Sequence, residues 1–294
     1  MSKSRKNKRS VWILIITILF AAAALYIYYL NADDTPTGSA PNATLDVLVI
    51  DVGQADSILV TMSTGEAMLI DAGDSSSKEA IFEELDERNI SKIDFLVATH
   101  PHADHIGGMQ SVIERYDIGM IYMPDMTSES KTYKNLKQTI DDKDIPVTEA
   151  YAGEQFSLGA AQCTIVSPGK DDDIDANNES VVIFLDYMDT ECLFTGDMEE
   201  KAEEEVLADG YMIDADILKV AHHGSSTGTS EDFLDAVSPD YAVISCGEGN
   251  TYGHPHEQTL DMLSKYGLDP YRTDISGDIL FTSDGHTIQV VTGD

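Results

Sequence analysis

The feature that most restricts how this chain folds is the decapeptide THPHADHIGG, residues 99–108, which follows the apolar run IDFLVA. Within six of its positions stand His100, His102, Asp104 and His105. A single histidine is usually a surface group or a satisfied core residue. Four nitrogen and carboxylate donors that alternate past the tip of a buried strand instead converge on one point. Imidazole and carboxylate are the donors that zinc, manganese or iron takes, so the run is a candidate metal cluster. Gly107 and Gly108 are expected to let the backbone turn tightly into the next helix.

Two further groups sit at comparable places. Asp197 ends the tripeptide Thr195-Gly196-Asp197 just after the strand-like CLFT, and a carboxylate can bridge two cations where one imidazole cannot. His222 and His223 follow the apolar run DILKV in the segment AHHGSS. Of this pair His222 is the expected ligand, because it lies nearer the strand end.

The rest of the chain reads as a layered α/β domain with helices outside a sheet core. LDVLVIDV, DSILVTM and EAMLIDAG are short strand-like segments parted by polar or glycine breaks, as in adjacent antiparallel strands. Helical spacing recurs in KEAIFEELDERN, over residues 109–115 and 131–141, in the acidic stretch 199–207, and in EQTLDMLSKYG. Strands are expected at residues 155–158, 162–166, 181–187 and 191–195, and a closing hairpin turns at Asp284-Gly285. Cys163, Cys192 and Cys246 are odd in number and widely spaced, so buried apolar packing is expected rather than a disulfide framework.

Residues 1–10 form a basic tail, and Val11 to Leu30 is a 20-residue stretch without a charge, enough to cross a hydrocarbon core as a helix. Basic residues before it and Asp33 and Asp34 after it predict a cytoplasmic N-terminus and an extracytoplasmic remainder. A cleaved signal peptide is the alternative. Residues 31–44 read as a flexible tether, and 45–294 as the folded domain. The 294-residue chain has 18 Lys plus Arg against 53 Asp plus Glu, a net charge of −35. Past residue 30 the balance is 13 basic against 53 acidic side chains, which argues against a broad basic track for nucleic acid.

The ordered series DVGQADS, LIDAG, THPHADHIGG, NNES, FTGD, KVAHHGSS and NTYGHP resembles the metallo-β-lactamase superfamily. More narrowly it is similar to the extracellular hydrolase domain of the ComEC/Rec2 competence proteins and its stand-alone relatives, over about residues 45 to 292. The resemblance implies a four-layer αβ/βα sandwich, preceded here by one transmembrane helix, with two divalent ions, zinc or manganese, on its rim. His100 and His102 would hold one ion, Asp104 and His105 the other, with Asp197 bridging and His222 completing the set; His223 would lie behind a ligand or face substrate. Asp71 in LIDAG would orient a ligand imidazole, and Asp56 in DVGQADS would join it behind the site. Many members carry another ligand histidine in a Gly-His-Thr segment before the strand that leads to the bridging Asp, and this chain has none there. Asn177 to Ser180 stand there instead, so Asn178 and Ser180 are expected at the pocket, and an Asn oxygen or water would complete an open first site.

In such a site a metal-activated water attacks, Asp104 accepts its proton, and His254 stabilises a non-bridging or leaving oxygen. His256 and His286 are assigned nothing. A phosphodiesterase or nuclease is the expected activity. Hydrolysis of a small or cell-envelope ester of phosphocholine type is the alternative, ahead of β-lactamase activity or a non-catalytic binding module. The expected partners are that substrate and the membrane; nucleic acid is disfavoured by charge, and no protein partner is inferable.

Overall fold

Strand faces alternate between two different apolar surroundings. Leu45, Val47 and Val49 pack into one buried cluster while Leu48 and Ile50 pack into another, so a strand this apolar is covered on both sides. The computed structural model describes residues 43–169 and 175–293. The tail, the apolar stretch 11–30 and tether residues 31–42 lie outside them. Among the described residues no helix is long and apolar enough to cross a membrane.

The first sheet holds β1 (Leu45–Val49), β2 (Ile58–Met62), β3 (Ala67–Ile70), β4 (Lys92–Val97), β5 (Asp117–Met123) and β6 (Val147–Glu149). The second begins with β7 (Gln155–Leu158), β8 (Ala161–Ser167), β9 (Val182–Tyr187) and β10 (Thr190–Phe194), and adds β11 (Ile217–Lys219), β12 (Tyr241–Ile244) and β13 (Tyr271–Arg272). The hairpin β14 (Ile279–Ser283) and β15 (Ile288–Thr292) returns to the first sheet, whose order is β15-β14-β1-β2-β3-β4-β5-β6. The second runs β13-β12-β11-β10-β9-β8-β7. In each sheet an antiparallel part meets a parallel one: β3 to β6 are parallel, and so are β10 to β13.

Between the sheets lies a core that includes Val47, Val60, Phe156, Ile183, Phe194 and Phe281. Outside the first sheet pack α1 (Lys78–Glu87), α2 (Ala103–Ile106), α3 (Met109–Arg115) and α4 (Lys131–Asp142), through residues such as Ile81, Ile106, Val112 and Leu136. Outside the second pack α5 (Glu200–Asp209), α6 (Glu231–Val237) and α7 (Glu257–Lys265), with Val206, Phe233 and Leu263 inward. The short α8 (Thr273–Ser276) follows β13. The layers are thus helix, sheet, sheet, helix, the expected α/β sandwich. All three cysteines are buried and free.

Gly107 and Gly108 act differently from the expectation. Gly107 has φ −63° and Gly108 φ −85°, which any residue adopts. What they supply is close approach: a Cβ on Gly108 would fall 2.2 Å from the Ala72 carbonyl oxygen, and one on Gly107 2.4 Å from that of Ala103. This contact presses the loop after β3 against the loop after β4. The parallel segments then place their carboxyl ends on one rim, where α/β sheets commonly bind ligands. Asp71 follows β3, His100 follows β4, Asp197 follows β10, His222 and His223 follow β11, and Ser245 follows β12.

Candidate metal centre

Asp197 stands at the middle of the rim, 1% exposed. Its Oδ2 lies 3.3 Å from His105 Nε2, 3.6 Å from His222 Nε2, 3.7 Å from His223 Nε2 and 3.8 Å from His100 Nε2. Four imidazoles therefore present the same ring atom to one carboxylate oxygen. Gly196, at φ +53°, allows the turn that puts Asp197 there, and the Ser180 hydroxyl accepts the Asp197 N–H at 3.1 Å.

On one side of Asp197, Asp104, His105, Asp197 and His223 offer ligand atoms that all lie within 4.8 Å of one another. Asp104 projects from the first turn of α2 and brings Oδ2 to 3.5 Å from His223 Nε2. His105 is held from behind: its Nδ1 meets Asp71 Oδ2 at 2.7 Å, while Asp71 also accepts the Thr99 N–H at 2.9 Å and the Thr99 hydroxyl at 2.7 Å. Asp71 sits in the left-handed region at φ 58°.

On the other side are His100, His102 and His222. His100 Nε2 lies 2.9 Å from His102 Nδ1, and the Nδ1 of His222 lies 3.1 Å from Glu199 Oε1 and 3.3 Å from Thr227 Oγ1. His222 and His223 have φ 48° and 55°, two consecutive non-glycine residues in a region L-residues rarely visit. That turn aims successive rings at Asp197 from two sides, and strain of this kind gathers at functional sites. The compact four-residue group takes in His223, whereas sequence order favoured His222; the left-handed turn brings the later ring deeper.

Other expected residues are placed as follows. Asp56 is buried beside His223, its Oδ1 3.3 Å from Nδ1. The Asn178 carboxamide oxygen is engaged by the Glu199 and Ala202 N–H groups at 3.3 and 3.1 Å, so it caps α5 rather than offering a lone pair to the pocket. Ser180 Oγ lies 3.5 Å from His100 Nδ1. His254 is at the mouth, its ring centroid 5.6 Å from that of His222, with Tyr252 stacked on it at 5.7 Å. His256 accepts the Ser226 N–H with its ring centroid 4.7 Å from that of His254, and His286 pairs with exposed Asp189. Sequence reasoning missed Glu199 and Thr227 behind His222, Gln54 against His254, and Lys219, which reads only as a polar interruption in DILKV.

Charge in the cluster is self-compensating. Burial would raise Asp197, but His105 and His223 hold it well below the carboxylate range. Asp104 is opposed by burial yet drawn down to about 2 by its bond to His223 and the charge of His105. Burial disfavours the His223 cation, and Asp197 and Asp56 overcome this to raise it to about 10. His100 goes the other way, pushed down by burial and by His105. His254 drops to about 4 through burial and the neighbouring His223 and His222.

The donor set fits divalent ions. His105 Nε2, His223 Nε2 and Asp197 Oδ1 are buried without a well-formed hydrogen bond. Each such atom costs about 1–3 kcal/mol if left unsatisfied. Gathered in one histidine and carboxylate cluster, they would be satisfied together by a cation, and the set has the nitrogen and oxygen character that zinc and manganese accept.

Comparison with known proteins agrees with this geometry. Residues 50–248 match the model of the Metallo-beta-lactamase superfamily. The chain is 28% identical to ComE operon protein 3 of Bacillus subtilis over 94% of its own length and 37% of that protein. It is 30% identical to Competence protein ComA of Neisseria gonorrhoeae, over 83% of this chain and 33% of that one. The chain thus spans about a third of the length of these curated relatives. Among solved structures, Igni18, a metallo hydrolase from the archaeon Ignicoccus hospitalis, superposes with a TM-score of 0.53 at 14% identity, covering 81% of this chain and 98% of that one.

Proposed function

The chain belongs to the metallo-β-lactamase superfamily, and from that premise we propose that it is a two-metal phosphodiesterase whose catalytic domain works outside the cytoplasm on an N-terminal membrane anchor. That it is a metal-dependent hydrolase rests on the family and on the candidate ligand cluster. The observation that carries the finer reading is the convergence of four imidazole Nε2 atoms on one oxygen of Asp197. In this reading Asp104, His105, Asp197 and His223 would hold one ion. His100, His102 and His222 would serve a second, with His222 in the part that the Gly-His-Thr histidine plays in other members.

Two divalent ions, when bound, supply Lewis acidity toward both the attacking and the leaving oxygen of a phosphodiester. The chain's own residues do the rest. Asp104, drawn down to about 2 and 39% exposed at its side chain, is an ionised acceptor for a proton from water at neutral pH. His254, lowered to about 4, is neutral there and donates a hydrogen bond from its ring N–H toward a substrate oxygen. Asp71 and Asp56 keep the ligand rings oriented from behind.

The net charge of −35 favours the second reading, hydrolysis of a small ester with a cationic group, over a long polynucleotide. One experiment separates the two. The full chain is assayed with manganese or zinc on bis-p-nitrophenyl phosphate, single-stranded DNA and nitrocefin, beside an Asp104→Ala/His105→Ala variant. Diester and DNA cleavage lost in the variant supports a nuclease. Diester cleavage without DNA cleavage selects the small ester, and absence of metal-dependent hydrolysis refutes the proposal. The anchor is tested by protease added to intact cells, which must degrade the folded domain if it lies outside.

A further inference from the structure

Lys219 is 1% exposed, between Leu218 and Val220, which are both fully buried. Its Nζ lies 2.9 Å from Asp56 Oδ2 and donates to the Val220 carbonyl at 3.0 Å. The other oxygen of Asp56 lies 3.3 Å from His223 Nδ1, which also points at the Ser245 carbonyl at 3.0 Å. The Ser245 carbonyl accepts from Nδ1 and the Asp56 carboxylate lies beside it, so Nδ1 keeps its proton and Nε2 is the ring atom turned toward the cluster. The Asp56 backbone joins the same loops: its N–H donates to the Asp104 carbonyl and its carbonyl accepts from Gly73.

A buried ion pair is a weak source of stability, and replacing one by apolar groups is often neutral or favourable. This pair has another use in its position. Resting on the metal-centre reading above, we infer that Lys219 is a positioning residue for that centre. Its ammonium fixes one oxygen of Asp56 so that the other stays against His223 Nδ1, which holds the His223 ring with Nε2 toward Asp104 and Asp197. Lys219 also balances a crowded wall, since Asp56, Asp71 and His105 have ligand atoms within 4.8 Å of one another. With the ammonium gone, Asp56 has no partner for Oδ2 and no reason to keep its rotamer. The effect then reaches the centre through two ion-pair contacts, Lys219 to Asp56 and Asp56 to His223, without Lys219 touching metal or substrate.

The test is metal affinity, measured by competition titration of the full chain with Zn²⁺ and, separately, Mn²⁺. Lys219→Met and Asp56→Asn are each expected to weaken binding about 10–100-fold, as loss of a partner behind a metal-bound histidine typically does. Because the two act through one path, the double variant is expected to bind no more weakly than the weaker single variant. A folded Lys219→Met that binds within twofold of the parent, or losses that multiply in the double variant, overturns the inference while leaving the metal centre standing. Failure of the parent chain to bind either ion overturns both. Should Lys219→Met not fold, Lys219→Arg, which keeps the cation, is titrated beside Asp56→Asn: near-parent affinity in the first and loss in the second are expected, and an Asp56→Asn chain that binds within twofold of the parent overturns the inference.

Discussion

Asp71→Asn isolates orientation of a ligand from every other property of the site. Asn tolerates the left-handed backbone that Asp71 adopts at φ 58°, so the exchange leaves the main chain undisturbed. Its carbonyl oxygen keeps the 2.9 Å bond from the Thr99 N–H. Its NH₂ then replaces the oxygen that lies 2.7 Å from both the Thr99 hydroxyl and His105 Nδ1. A donor now faces Nδ1, so the ring must surrender that proton and carry it on Nε2, the atom aimed at Asp197. Alternatively Nδ1 keeps its proton and a hydrogen bond to a charged acceptor is lost, worth about 1.5–3 kcal/mol. Either path spends about 1.4–2.8 kcal/mol of metal binding, which is about 10–100-fold in affinity. The assay is diester hydrolysis against manganese concentration: the half-saturating concentration rises by that factor while the rate at saturation partly recovers. An unchanged half-saturation in a folded Asp71→Asn protein would refute the orienting role.

Metal addition is expected to raise Tm by about 5–11 °C at a concentration near 100 Kd, from about 2.7 kcal/mol of linkage and about 2–4 °C per kcal/mol in a domain of this size, with EDTA reversing it in scanning calorimetry. Glu191, raised to about 7 by burial and by Asp216, binds a proton more tightly folded than unfolded, so its stability penalty develops as pH rises from about 4.5 through 7. Glu191→Gln is therefore expected to stabilise at pH 8.5 and do little at pH 4.5, by urea unfolding at both. Gly108→Ala sets a Cβ 2.2 Å from the Ala72 carbonyl and is expected to cost about 2–4 kcal/mol in the same assay; a cost under about 0.5 kcal/mol contradicts the close-approach argument.

Parts of the site held together by chain connectivity were legible in the sequence. His100, His102, Asp104 and His105 span a strand tip and one helical turn, so neighbourhood in sequence enforces neighbourhood in space. Asp197 was legible too, because a carboxylate after an apolar strand points past the sheet rim wherever that strand lies. The layered α/β class followed from strand and helix periodicity. Pieces too short to carry a period escaped it: β6 with three residues, β13 with two and α2 with four.

What stayed hidden depends on backbone handedness and on contacts made across the sheets. Proximity to a strand end favours His222 over His223 only if the chain leaves the strand in an extended form. The actual turn at φ 48° and 55° swings His223 inward, to 2% exposure, and leaves the His222 side chain 22% exposed against Glu199. Asn178 looked like a spare oxygen because its competitor, the N-terminus of α5, lies some 20 residues on and meets it only after folding. Lys219 breaks the apolar pattern of β11, and in isolation that break reads as solvent exposure. Buried, it has meaning only through Asp56, a residue 163 positions earlier on the opposite sheet. A polar residue that interrupts a buried strand just before a histidine pair thus marks a partner reaching in from the other layer, and the partner's identity appears only when the two rims meet.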